Sequence, residues 1–251
     1  MVRSEWDSLP GVVGDVERVL VVVAHPDDAE FWAGGTIAGW TEAGIEATYC
    51  VLTDGDAGGF DPAIPREEIP AIRRAEQRDA ATLLGVGDVR VLGLSEGGLA
   101  EANPQLHEDL VRIIRQVRPQ RVLTWSPEWN WHRFRSSHPA HRATGEAALR
   151  AIYPDAGNPF ALSHLLQDEG LDAWTVGETW LINSPAQEVN RYVDITATFD
   201  RKVAAVRAHA SQIKVPAALA GRLRNRIAAN TAAAGLPNGR LAEAFQVVVT
   251  G

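Results

Sequence analysis

The chain has 251 residues, 45% of them hydrophobic, enough to bury a full core, and this argues for one α/β domain over two small ones or a disordered chain. Twenty-four basic against 32 acidic residues leave a formal charge of −8, which speaks against a broad footprint for nucleic acid or an anionic membrane but leaves room for a small basic pocket. Cys50 is the only cysteine, so intrachain disulfides and thiolate-rich metal sites are excluded, and any metal must bind through histidines and carboxylates.

Met1–Gly14 shows no signal-peptide pattern, and the strongest apolar run, Val19–Ala24, is far too short to span a bilayer. A cytoplasmic enzyme is therefore expected. Val19–Ala24 is β-branched without polar alternation, as in a parallel strand buried on both faces. It runs into His25-Pro26-Asp27-Asp28, then Gly34-Gly35 and a helical stretch to about Ala43, stopped by Gly44. Ile45–Thr53 reads as a second strand and Asp54–Pro70 as a loop rich in Gly, Pro and Asp. Ala71–Leu84 has helical spacing, Val89–Leu94 is a third strand, Pro104–Val117 a helix, and Arg121–Trp125 a fourth strand.

A helix is expected from about His138 to Ile152. Val176–Asn183 and Tyr192–Ile195 look like short strands, Phe199–Gln212 has helical spacing, and residues 214–240 are Ala-rich with room for one more helix. Strands alternating with helices imply a Rossmann-like, doubly wound, mostly parallel α/β sheet, here as a single domain with a C-terminal helical extension from about residue 198. In such sheets sites form outside the carboxyl ends of the strands.

Two clusters lie at predicted strand ends. His25 and Asp28 are three residues apart across a strand-to-helix turn, a spacing that can aim an imidazole and a carboxylate at one ion. One histidine of His138-Pro139-Ala140-His141 would complete a His/Asp/His set. Three protein ligands with an open fourth position is the arrangement of a catalytic zinc site, where the metal acidifies its water and polarises a carbonyl. Imidazole plus carboxylate favours zinc, with iron or manganese behind it. Asp27 need not bind the metal and could serve as general base. His138 could stabilise an oxyanion or act as an acid.

These residues resemble the signature of the PIG-L/LmbE-like deacetylases. The resemblance rests on Ala24-His25-Pro26-Asp27-Asp28-Ala29-Glu30 with Gly34-Gly35-Thr36, and on Ser137-His138-Pro139-Ala140-His141. Weaker matches follow in order: Thr53-Asp54-Gly55, Arg73 and Glu76, Glu96-Gly97-Gly98-Leu99, Asn130-Trp131, Asp194-Ile195-Thr196, Lys202 and His209-Ala210-Ser211-Gln212. It implies hydrolysis of an N-acetyl or related acyl amide, often on glucosamine, with one Zn2+ per chain. By position, His25, Asp28 and His141 match the zinc ligands, Asp27 the general base and His138 the carbonyl-polarising histidine. Two departures stand out: Ala140 replaces the family's usual Asp between Pro139 and His141, and Glu96 replaces a common Asp.

Arg73, at its family position, and Glu96 are candidate substrate contacts. So are Trp131 and Arg133, from the segment Trp125–Arg135, whose aromatics could stack on a sugar and whose arginines could pair with phosphate or carboxylate. The same segment could equally be a hydrophobic lid or a subunit contact in a homo-oligomer. The expected partner is a small acylated amine containing an amino sugar; an amidase of thiol conjugates is the rival within the class. A nucleotide-binding module would need Gly-x-Gly-x-x-Gly after the first strand, where this chain places carboxylates. A catalytically inactive metal-binding scaffold has only Ala140 in its favour.

Overall fold

The computed structural model describes residues 16–95, 99 and 103–251. In chain order the elements are β1 (Arg18–Val23), α1 (Asp28–Glu42), β2 (Glu46–Thr53), α2 (Ile69–Leu83), β3 (Asp88–Leu94), α3 (Pro104–Val117) and β4 (Arg121–Trp125). After these come α4 (Pro139–Arg150), α5 (Ser163–Gln167), β5 (Glu178–Ile182), β6 (Arg191–Asp194), α6 (Phe199–Ala208), α7 (Leu219–Ala233) and β7 (Ala242–Val249). The sheet order is β3-β2-β1-β4-β5-β7-β6. Strands β1 to β5 run parallel, and β7 is antiparallel to both of its neighbours. This is the Rossmann-like, doubly wound sheet that the strand–helix alternation implies.

The unbroken apolar run of β1 has a simple cause. Val19, Val21 and Val23 enter the core on one face of the sheet, and Leu20, Val22 and Ala24 enter the core on the other. Alternate side chains of a strand point to opposite faces, so a strand covered on both needs no polar positions. Successive crossovers build outward from β1 to β2 and β3 on one side and to β4 and β5 on the other. The winding therefore reverses between β1 and β4, and a crevice opens at their carboxyl ends. The His25 segment leaves β1 there, and the Trp125–His141 segment leaves β4 beside it.

Two glycines set how closely the site-bearing helices approach the sheet. A Cβ on Gly145 would lie 2.1 Å from the Trp125 carbonyl oxygen, so α4 rests directly on the end of β4. Gly145 is one turn beyond His141 on the same helix face, so this contact carries His141 to the crevice. A Cβ on Gly35 would lie 2.6 Å from Ile195, which packs α1 tightly against the segment after β6.

Several boundaries differ from the sequence expectations. Helix α2 begins at Ile69, with Pro70 in its first turn, where a missing N–H costs nothing; the predicted loop is shorter accordingly, and Arg66–Glu68 forms a 3₁₀ turn. Helix α6 stops at Ala208, and a 3₁₀ turn over Ala210–Gln212 replaces its expected last turn. The predicted helical extension is corrected by β7: the chain after 198 is helical through α6 and α7 but returns as a strand inside the sheet, between β5 and β6. Its sequence, AEAFQVVV, opens with residues of weak strand propensity, and tertiary contacts decide its state. Among the described residues no helix is long and apolar enough to cross a membrane.

Candidate metal centre

His25 follows β1, Asp28 opens α1, and His141 stands in the first turn of α4. Asp27 between them adopts φ 108°, a left-handed conformation uncommon for a residue with a side chain. Its N–H donates to Gln77 Oε1 (3.0 Å), and Arg73 Nη2 lies 3.4 Å from its carboxylate. Local strain of this kind persists only where the surroundings over-determine it.

The three candidate ligands converge. His141 Nε2 lies 3.2 Å from His25 Nδ1 and 3.3 Å from Asp28 Oδ1, and His25 Nδ1 lies 3.5 Å from Asp28 Oδ2. One donor atom from each lies within 4.8 Å of the others, forming a possible His-Asp-His metal site. For a tetrahedral ion with metal–ligand bonds near 2.0–2.1 Å, donor atoms stand about 3.3–3.4 Å apart. The two imidazole nitrogens stand at that edge length, 3.2 Å apart, and each has an Asp28 oxygen at a similar distance, Oδ1 beside His141 and Oδ2 beside His25.

The surroundings prepare these atoms for a cation. His141 Nδ1 is 3.0 Å from the Ser136 carbonyl oxygen, which can only accept. Nδ1 therefore carries the proton, and the Nε2 lone pair faces the site. The His141 ring stacks on Trp125 at 3.6 Å with a 10° interplanar angle. Trp125 Nε1 donates to Asp28 Oδ2 (3.2 Å), and the His25 N–H donates to the same oxygen (2.9 Å). Burial opposes ionisation of Asp28, but His141 and His25 beside it prevail and hold its carboxyl well below the usual range. Asp27 goes the other way: burial, with Asp28 adding to it, outweighs Arg73 and pushes its carboxyl up to about 6. Two adjacent carboxyls thus have opposite proton affinities, the condition for dividing ligand and base roles.

His138 caps α4, is exposed, and sits with its ring centroid 5.6 Å from that of His25 and 5.4 Å from that of His141. Its Nδ1 accepts from the Ala140 N–H (3.3 Å). The position that departs from the family pattern thus supplies a backbone donor, which leaves the neutral ring's proton on Nε2.

The candidate substrate residues fare differently. Arg73 is buried; its guanidinium holds the carbonyls of Gly55 (2.9 Å) and Pro26 and lies against Asp27. In this structure it braces the backbone beneath Asp27, at the edge of the centre. Trp131 is 71% exposed, within a stack with Trp129 and Phe134. Arg133 lines the two cavities that flank α1. Asn130 anchors their segment by donating to the Asn183 and Ser184 carbonyls beyond β5 and capping the turn at Arg133. Glu96 lies outside the described residues.

Two supports of the centre carry little signal in the sequence. Trp125 is legible there only as one aromatic of a rich segment, and its place at a strand end beside β1 is the available signal. Gln77 carries none, because an unremarkable glutamine on a helix face becomes informative only when α2 packs beside Asp27. It also donates to Glu30, which pairs with buried His209 (3.2 Å).

The family of GlcNAc-PI de-N-acetylases, PIG-L, matches residues 20–152. The chain is 33% identical over 199 residues to a probable N-acetyl-alpha-D-glucosaminyl L-malate deacetylase 2 of Bacillus cereus, covering 78% of this chain and 83% of that protein. It is also 33% identical to the diacetylchitobiose deacetylase of Thermococcus kodakarensis, covering 79% and 71%. The solved N,N'-diacetylchitobiose deacetylase of Pyrococcus horikoshii, in complex with its inhibitor, superimposes with a TM-score of 0.83 at 29% identity over 94% of this chain and 85% of that one. The fold is that of the α/β deacetylases, which are amide hydrolases. The chain belongs to the PIG-L family.

Proposed function

We propose that this protein is a zinc-dependent hydrolase that removes an acetyl or related acyl group from the amide nitrogen of an amino sugar. The convergence of His25, Asp28 and His141 beside Asp27 is the observation that carries this reading. Those three side chains would hold the metal, which when bound supplies an acidified water and an electrophile toward the acyl carbonyl. Nitrogen and carboxylate donors, with no sulfur, suit zinc.

Asp27 takes a proton from the attacking water and returns it to the departing amine. Its carboxyl, raised to about 6, is basic enough to take the proton near neutrality and acidic enough to give it up. His138 donates from Nε2–H to the oxygen that gains charge as the carbonyl is attacked. Arg73 and Gln77 keep Asp27 in its left-handed conformation, aimed at the centre. Trp131 offers a ring face on which a pyranose can stack, and Arg133 offers charge at the rim.

The test combines metal analysis with a free-amine release assay over N-acetylglucosaminides, thiol conjugates and acylated glycosides. One zinc per chain and amine release from N-acetylglucosaminides are expected. Stoichiometric zinc with no amine released from any amide would overturn the reading in favour of an inactive scaffold.

A further inference from the structure

A cavity of about 440 Å³ lies beside the metal centre, between α1, the segment before α4, and α7. Its lining meets the centre at two points. Phe31 of α1 donates its N–H to the Asp27 carbonyl (3.0 Å), and the Ser136 carbonyl takes the His141 Nδ1 proton. Three arginines face it, Arg133, Arg222 and Arg226, and among the described residues no acidic side chain lines it. This is a local reversal of sign in a chain of net charge −8.

Arg226 is the informative member. Its guanidinium lies over the Trp32 ring at 3.9 Å from the centroid, which fixes its plane. Among the described residues it makes no hydrogen bond and no ion pair, although other arginines of the chain are tied to carboxylates or carbonyls, as Arg73, Arg112, Arg115 and Arg121 are. Burial, with Arg133 adding to it, outweighs the pull of Asp28 and Asp27 and pushes its pKa down to about 10, so it stays charged at neutral pH while partly desolvated beside a second cation. A half-buried, ring-stacked guanidinium with its donors uncommitted, next to like charge, is costly unless an anion completes it. Both partners of the pair come from segments outside the His-Pro-Asp-Asp core, Arg133 from the β4–α4 connection and Arg226 from α7.

We propose that Arg226, with Arg133 and Arg222, forms a subsite for an anionic group, a carboxylate or a phosphate, carried by the amino sugar beyond its acylated nitrogen. The inference rests on the amide-hydrolase reading for where the reacting group lies. It selects an acidic N-acylated amino sugar over a neutral one.

The experiment compares three amides on the zinc-loaded enzyme: a neutral methyl N-acetylglucosaminide, an N-acetylglucosaminide of a hydroxy acid, and N-acetylglucosamine 1-phosphate. The wild type should favour at least one anionic amide in kcat/KM, and the better of the two identifies the group. The preference should fall with added salt and shrink roughly 10- to 100-fold in Arg226→Met. Arg222→Met, on the exposed side, should reduce it less and serves if Arg226→Met does not fold. Arg78→Met, on the exposed face of α2, should keep it. Equal kcat/KM for the neutral and both anionic amides, or a preference that survives both variants, overturns the subsite. Calorimetric titration with the deacylated sugars, with and without the anionic group, reads it separately. Tighter binding of the anionic amine, lost in Arg226→Met, would sustain the subsite even if no amide were cleaved, and equal binding would overturn it.

Discussion

Helix α1 carries two dense clusters of ionisable groups, and they are built on opposite rules. At its N-terminus His25, Asp28 and His141 each bring a donor atom to within 4.8 Å of the others, a spacing that one ion can bridge. Against its middle, Lys202 and Glu243 form a fully buried pair at 2.6 Å whose remaining capacity goes into the helix itself. Lys202 donates to the Glu30 and Phe31 carbonyls, and Glu243 accepts from the Gly35 and Thr36 amides and the Thr36 hydroxyl. The first cluster gathers like partners that need a cation. The second needs nothing, because each charge meets its opposite and each polar atom used is hydrogen-bonded. The difference teaches that charge density alone does not mark a functional site; the direction of the donor atoms does.

Substitutions that separate the clusters should separate activity from stability. The largest effect belongs to Asp27→Ala, which should lower kcat by about 10²–10⁴-fold, the usual worth of a general base, with zinc still bound. Metal analysis alongside amine release checks it; retained activity on a cognate amide would break the general-base assignment. Lys202→Met should do the reverse and destabilise the fold by about 3–5 kcal/mol in denaturant unfolding, since Glu243 would be left charged and buried without its partner. A small loss there would mean that the second cluster is not the structural element its bonding describes.

A smaller and pH-dependent effect should come from His209, which is buried against the Glu30 carboxylate of α1. Burial works against its charged form, but Glu30, followed by Asp27 and Glu76, raises its pKa above the ordinary value. A raised native pKa stabilises the folded state at low pH and loses that contribution as the pH rises through the native value. The stability advantage of wild type over His209→Gln should therefore be greatest below about pH 6.5, the unperturbed histidine value, and should shrink above it. Unfolding midpoints across pH 5.5–9 measure it, and an advantage that grows with pH would sink the assignment.

Much of this protein is legible in its sequence. The buried β-branched run of β1, the strand–helix alternation and the His25–Asp28 and His138–His141 clusters are local or periodic features, and periodicity reports directly which faces are covered. Together they imply a doubly wound sheet with a centre at the ends of its first and fourth strands. Other features depend on packing between distant segments. Arg73 looks like a substrate contact because sequence shows a charged side chain and not the carbonyls of Pro26 and Gly55 that enclose it. Strand β7 is hidden because Glu243, polar on paper, is buried by a lysine 41 residues away. The N–H of residue 140 meets the His138 ring, a contact that belongs to the backbone and that no side chain at this position announces. Spacing pointed to His25, Asp28 and one histidine of the 138–141 cluster, and the family resemblance singled out His141. Their geometry, the tautomer of His141 and the uncommitted Arg226 beside them were decided only by tertiary structure, because each is a relation between side chains that the chain brings together from afar.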